Sequence, residues 1–345
     1  LAFMRSGYTG SSQYVPMVWS GDPAASFEES DGLPSMIPAA LNLGISGAPN
    51  SGGDIGGFHC TADGGEAADG ELFTRWIQQG SMMPNMQDQD ACVGGGVKAN
   101  IFTSDDAQQA WKTYARLHTR LFPYFYTLAH RANQTGAPLM RQFFLEHPDR
   151  PDLAGVDDAY YLGSALVVAP VVRRGETSKT VELPAGSYFD WRDQAVVAGG
   201  QSVTIDAPLD KLPLLLRENH LIPLLDSTID TLAKETNPEV VGVDDVTDVY
   251  DVVGYLTGGA AEFTLWDGES FTANLSGAAS SPELPVAASE GELTNCDGCY
   301  LLETLPSGAR RLRVSTTAAS VNAGGLVLSS SSSRRVRWDL YLPAP

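Results

Sequence analysis

Up to about residue 137 short apolar segments alternate with helical stretches, and after Pro138 the helical periodicity stops. Phe3–Ser6, Val15–Gly21, Gly44–Gly47 and Gly53–Phe58 each read as a short strand or strand end running into a polar or glycine-bearing cluster. Between them, Leu33 to Leu43 follows the turn signal Asp31-Gly32, and Glu71 to Gln79 precedes Gly80, as helices do. The longest helical stretch runs from the N-cap Ser104 to about Asn133 and is closed by Gly136-Ala137-Pro138. In it Trp111, Tyr114, His118, Leu121, Phe125 and Leu128 recur at spacings of three and four, which makes one apolar face. Strands that alternate with helices imply crossover connections and a parallel sheet. After Pro138, the β-type runs Tyr160–Val172, Thr180–Leu183, Ser202–Ile205 and Leu212–Leu225 are separated by Gly, Pro and Asp turns, as in a β-sandwich. From about Ser227 the runs shorten, and Val246–Leu256, Ala261–Trp266, Arg311–Val314, Leu326–Ser329 and Val336–Leu342 suggest a second sandwich, with Ser276–Ser289 as a surface loop. The fold class is α/β plus all-β, with domains at 1–137, 138–226 and 227–345.

Charge narrows the partners. The 345 residues carry 42 acidic against 22 basic side chains, a formal charge of −20. A phosphate backbone needs a basic footprint, so nucleic acid is not an expected partner. No apolar run reaches the ~20 residues of a membrane-spanning helix. The start at Leu1 without a signal-peptide layout points to a processed or truncated chain. Four cysteines favour an oxidising compartment: Cys60 with Cys92 and Cys296 with Cys299 read as disulfides ahead of free thiols, and ahead of zinc, because one CxxC without a second pair is a poor ligand set. Asn133-Gln134-Thr135 and Asn274-Leu275-Ser276 are glycosylation sequons in a eukaryotic secretory setting. The chain contains no phosphate loop, HExxH or GxSxG, which weakens kinase, metalloprotease and serine-hydrolase readings.

Reactive groups on a parallel α/β sheet sit at the C-terminal ends of its strands. Reading those positions gives Arg5, Asp22, Asp54 and the cluster Gln87–Asp90. Asp22 follows Trp19-Ser20-Gly21; a carboxyl held against an indole and away from water keeps its proton, as a donor to a leaving oxygen must. Gly-Asp-Pro is also a common turn, and spacing by itself favours the turn. The glycines around Asp54 let backbone and carboxylate approach a ligand closely, and a tight loop accounts for them equally. Arg5 either anchors a ligand or pairs with Asp22 or Asp54. His118 and His130 in the long helix read as structural.

Arg5-Ser6-Gly7-Tyr8-Thr9-Gly10, Trp19-Ser20-Gly21-Asp22, Gly53-Asp54-Ile55-Gly56-Gly57-Phe58 and Phe73-Thr74-Arg75-Trp76-Ile77-Gln78 occur in that order, with Pro84 after them. Together they resemble the second half of the catalytic barrel of glycoside hydrolase family 31, the α-glucosidase, α-xylosidase and sulfoquinovosidase family. Arg116-Leu117-His118 with Leu121-Phe122-Pro123-Tyr124 resembles the last barrel helix of that family. Tyr160-Tyr161-Leu162-Gly163 through Val168-Ala169-Pro170-Val171, and Leu183-Pro184-Ala185-Gly186 with Tyr188, Asp190 and Trp191, resemble its proximal β-sandwich. The resemblance implies the second half of a (β/α)8 TIM barrel followed by two C-terminal β-sandwich domains. It implies Asp22 as general acid/base of a retaining α-glycoside hydrolase, with Arg5, Trp19 and Asp54 in the sugar pocket; no cofactor is expected, and no metal, because the sequence shows no ligand set for one. The family's nucleophilic aspartate lies upstream of the Arg5 motif, so an N-terminal part is expected to supply it. Where the family carries Arg-x-His, this chain has Gln87-Asp88-Gln89; Gln87 and Gln89 can still bind hydroxyls, but glucoside specificity does not follow. The resemblance also implies a secreted, periplasmic or cell-surface location and a carbohydrate substrate. A transglycosylase or α-glucan lyase uses the same residues, and a carbohydrate-binding or surface-assembly protein without catalysis is the reading from a different class.

Overall fold

The computed structural model describes residues 3–5, 9–60, 69–89, 91–92, 96–276, 286–293, 296–323 and 325–344. Ser6-Gly7-Tyr8, Asp90 and most of the Ser276–Ser289 loop lie outside the described residues. The chain divides into two compact units. The first comprises residues 1–118, 128–184 and 200–214, and the second residues 119–127, 185–199 and 215–345.

The first unit carries a four-stranded parallel sheet, β1 (Phe3–Arg5), β2 (Met17–Trp19), β3 (Ser51–Asp54) and β4 (Asn85–Gln87), in sequential order. A parallel sheet must return the chain to its starting edge between strands, and α1 (Met36–Ile45) and α2 (Gly70–Gly80) serve this for the later pairs. The register pairs Arg5 with Trp19, Trp19 with Gly52, and Asp54 with Gln87, so the candidate side chains leave the sheet at one end. All of β3 is buried, as parallel strands covered on both faces are. Gly44–Gly47, expected as a strand end, instead closes α1, whose last turn bonds the Ser46 N–H to Asn42 and Leu43 carbonyls. β4 is not among the runs marked in the sequence, although it ends at Gln87, the first residue of the cluster placed there at a strand end.

Asp69 caps α2 by accepting the Glu71 N–H at 2.8 Å. The helix is then buried from Leu72 to Gly80, including Arg75 at 1% exposure. Arg75 donates from Nη2 to the carbonyls of Glu176 at 2.9 Å and Ala207 at 2.8 Å. From Nη1 it reaches Pro208 and Lys211 carbonyls at 3.2 and 3.3 Å. Burial lowers its pKa from the usual arginine value. The expected single helix from Ser104 is two, α3 (Asp105–Arg120) and α4 (Phe122–Thr135). Pro123 has no N–H to continue the ladder, whereas at the start of a new helix that N–H is not needed. The rest of the first unit includes the meander of 140–141, 160–162 and 166–168 and the antiparallel pair 178–183 with 201–206.

In the second unit, the strands Val249–Tyr255, Arg310–Thr316 and Arg335–Leu342 form the middle of a six-stranded sheet. This sheet is mixed: Val249–Tyr255 runs parallel to Arg335–Leu342, and Arg310–Thr316 runs antiparallel to it. A four-stranded antiparallel sheet packs against it, with the Phe271 ring edge-on to Tyr250 and Trp338.

Candidate active site

The polar end of the parallel sheet is built around Asp54, which is fully buried at the end of β3. Its Oδ2 accepts the Trp19 indole N–H at 3.2 Å from β2, and its Oδ1 accepts the Gln87 amide at 2.6 Å from β4. Asn85 in turn donates to the Gln87 Oε1 at 2.6 Å, which fixes the orientation of that amide. Burial raises the Asp54 pKa above the usual carboxylate value, the hydrogen bonds from Gln87 and Trp19 and the charge of Lys98 opposing it. The indole expected to shelter Asp22 is thus committed to Asp54. Its N–H points along the sheet, and Asp22 lies three residues further on, in the loop.

Asp22 stands at the mouth with a 14% exposed side chain. The Arg5 Nη2 lies 3.0 Å from its Oδ2, and the same guanidinium sits over the Trp19 ring at 5.7 Å. Arg5 therefore pairs with Asp22 rather than Asp54. His59, which sequence reading passed over, brings Nε2 to 3.6 Å from the same Asp22 oxygen. It arrives there because the Phe58 and His59 N–H groups both donate to the Pro23 carbonyl and the Ala25 N–H donates to the His59 carbonyl. Gly57 permits this zipper: its φ is +85°, and a Cβ on it would stand 2.4 Å from the Ala25 Cα. The disulfide Cys60–Cys92 clamps the same segment, and Cys296–Cys299 is also paired, so both expected disulfides are present. A recess of about 310 Å³ opens beside Asp22, lined by Ser20, Gly21, Pro23, Asp31 and Met36 among others.

Gln89 does not join the cluster: its side chain is exposed, and its carbonyl accepts the Lys98 ammonium at 2.8 Å. His118 is structural as expected, with Nδ1–H donating to the Ser81 carbonyl at 2.8 Å and burial lowering its pKa, so that it stays neutral. A larger cavity of about 470 Å³ lies in the second unit, but its guanidinium groups are engaged by carboxylates. Arg311 meets Asp339 twice at 2.7 Å, and Arg337 meets Asp251 and Asp226 at 2.6 Å. No cluster of His, Cys, Asp and Glu able to hold a metal occurs among the described residues, and no helix there is long and apolar enough to cross a membrane.

Polar side chains gathered at the C-terminal ends of parallel strands are the arrangement of barrel-type enzymes. The glycosyl hydrolases family 31 TIM-barrel domain model matches residues 1–128, and the family 31 C-terminal domain model matches residues 136–222. The chain belongs to glycoside hydrolase family 31. It is 30% identical over 269 residues to alpha-glucosidase 2 of Bacillus thermoamyloliquefaciens, covering 78% of this chain and 31% of that protein. It is 32% identical over 221 residues to the sulfoquinovosidase of Agrobacterium fabrum, covering 63% of this chain and 32% of the relative. The cycloalternan-forming enzyme of Listeria monocytogenes superposes with a TM-score of 0.74 at 20% identity, over 99% of this chain and 34% of that one. The chain thus spans about a third of the length of these relatives.

Proposed function

We propose that the protein is a retaining α-glycoside hydrolase that removes terminal α-linked sugars by double displacement, with Asp22 as general acid/base. What carries this reading is the position of Asp22: it stands at the rim of the polar strand ends, beside an open recess, with the Arg5 guanidinium and the His59 imidazole on one of its oxygens. In the first step a carboxylate attacks the anomeric carbon as the glycosidic C–O bond breaks, and Asp22 gives its proton to the departing oxygen. In the second step Asp22 takes a proton from the water that cleaves the glycosyl-enzyme. Retention needs a second carboxylate about 5–5.5 Å from the first. Asp54 is enclosed by Trp19 and Gln87, which suits a hydroxyl acceptor better than a nucleophile, so we place the nucleophile outside residues 1–345. In this reading Arg5, Trp19 and Gln87 line the sugar side of the site around Asp54, which Trp19 and Gln87 hold buried and oriented.

The finer architecture belongs to the same proposal: residues 1–137 as the second half of the (β/α)8 barrel, then sandwiches at 138–226 and 227–345, in a secreted, periplasmic or cell-surface protein. Transfer to a second sugar is the alternative, favoured by the likeness to the cycloalternan-forming enzyme.

Asp22→Asn in the full-length protein tests the assignment. With an alkyl α-glycoside we expect kcat to fall by about 10²–10⁴-fold, the contribution of a general acid. With a glycosyl fluoride, whose leaving group needs no proton, the first step should survive and glycosyl-enzyme should accumulate. Equal loss on both substrates would remove Asp22 from the proton-donor role. Free reducing sugar among the products means hydrolysis, and a longer oligosaccharide means transfer.

A further inference from the structure

Lys98 lies in the segment between β4 and α3, and its side chain is 2% exposed. A lysine is rarely buried without a fixed task for its charge. Its Nζ donates to the Asp88 Oδ1 at 2.6 Å and to the Gln89 carbonyl at 2.8 Å. Both acceptors directly follow Gln87, whose amide holds Asp54. The stem of the lysine crosses Gly56, two residues beyond Asp54, where a Cβ would stand 2.9 Å from the Lys98 Cε. Lys98 therefore bonds the loop that leaves β4 through its ammonium and packs its stem against the loop that leaves β3. The groups that act on Asp54 are Trp19 from β2 and Gln87 from β4, through hydrogen bonds, and, through their charges, the Asp22 carboxylate and Lys98. Of these the only cation is Lys98.

We infer that Lys98 is a positioning residue for the sugar pocket: it supplies the positive charge that keeps buried Asp54 an ionised acceptor, and it pins the Gln87–Gln89 segment that orients Asp54. The inference rests on the reading of Asp54 and Gln87 as substrate-binding groups. Acceptor strength in the pocket is then set by a side chain that never touches the sugar. Burial already works against the Asp54 charge, and the Lys98 cation is among the groups that oppose it.

Two variants of the full-length protein separate charge from anchorage. Lys98→Gln can still donate to Asp88 and the Gln89 carbonyl but carries no charge; Lys98→Arg keeps a charge. The titration of Asp54 is followed by carbon-13 NMR of labelled aspartate carboxyls, assigned by Asp54→Asn. We expect the Asp54 midpoint to rise by about one pH unit in Lys98→Gln, the lower end of what a nearby charge imposes, and to stay near the wild-type value in Lys98→Arg. The KM for an aryl α-glycoside should rise in Lys98→Gln most strongly on the acid side, with kcat changed less. An unmoved Asp54 midpoint in a folded Lys98→Gln protein overturns the inference, as does an equal rise in Lys98→Arg. If Lys98→Gln does not fold, Asp88→Asn gives the opposite sign: freed of its anion, the lysine should lower the Asp54 midpoint, and a rise overturns the idea. Because the midpoint is read without turnover, a wild-type protein that cleaves no α-glycoside defeats the proposed function without touching this result.

Discussion

Trp19 serves two neighbours at once. Its ring lies under the Arg5 guanidinium, with Phe3 edge-on at 5.8 Å, and its indole N–H goes to Asp54. Trp19→Phe keeps a ring and deletes only the donor. Since the acceptor is a buried carboxylate, we expect the loss to cost about 1.5–3 kcal/mol of stability, the range for hydrogen bonds to charged groups, as measured by urea unfolding. A change below about 0.5 kcal/mol would mean that water replaces the indole N–H. At this scale the sequence marked Arg5, Trp19, Asp22, Asp54, Gln87 and Gln89 as site candidates, and the fold gathers all but the Gln89 side chain at the strand ends. It placed the indole beside Asp22 without seeing that its N–H goes to Asp54, and it did not single out His59 and Lys98. Both reach the site through loops, and no local periodicity marks a loop residue that tertiary contacts draw inward.

Between elements, α2 depends on one cation. Arg75 sends its guanidinium into four main-chain carbonyls of segments more than a hundred residues distant in sequence. Chain ends of strands and turns leave such carbonyls without ladder partners, and a buried carbonyl without a donor is costly. Arg75→Met retains the apolar stem and strips those donors. The expected destabilisation is about 3–5 kcal/mol by chemical unfolding, as for a buried network that loses its charged member. The same element scale holds the clearest misreading, the helix after Ser104. Its apolar face continues past Leu121 at spacings of three and four, so periodicity gives one helix where Pro123 enforces two.

For the whole molecule, acid stability is argued from the second unit. Asp226 is buried, and although burial pushes its pKa up, hydrogen bonds from Thr228 and the Arg337 guanidinium bring it below the usual aspartate value. A depressed folded-state pKa contributes stability that is complete above the unfolded value near 3.9, and that is lost as pH falls through the folded value. Arg337→Met should therefore lower the unfolding midpoint of the protein at neutral pH, and the gap from wild type should narrow on acidification below about pH 4. A gap that stays constant from pH 7 to pH 3 would show that Arg337 acts by packing alone.

Turn residues and periodicity marked an α/β part followed by a β part, and the family 31 motifs were recognisable along the first by their resemblance. They sufficed because each of these depends on residues close in sequence: a strand of three to five residues, a capped helix, a glycine turn. Which carboxylate meets the indole, and which lysine and histidine approach the pair, depended on register between strands and on loop closure over Gly56 and Gly57. Contacts such as these join residues 17 to 42 positions apart, so only the folded arrangement of the sheet could decide them.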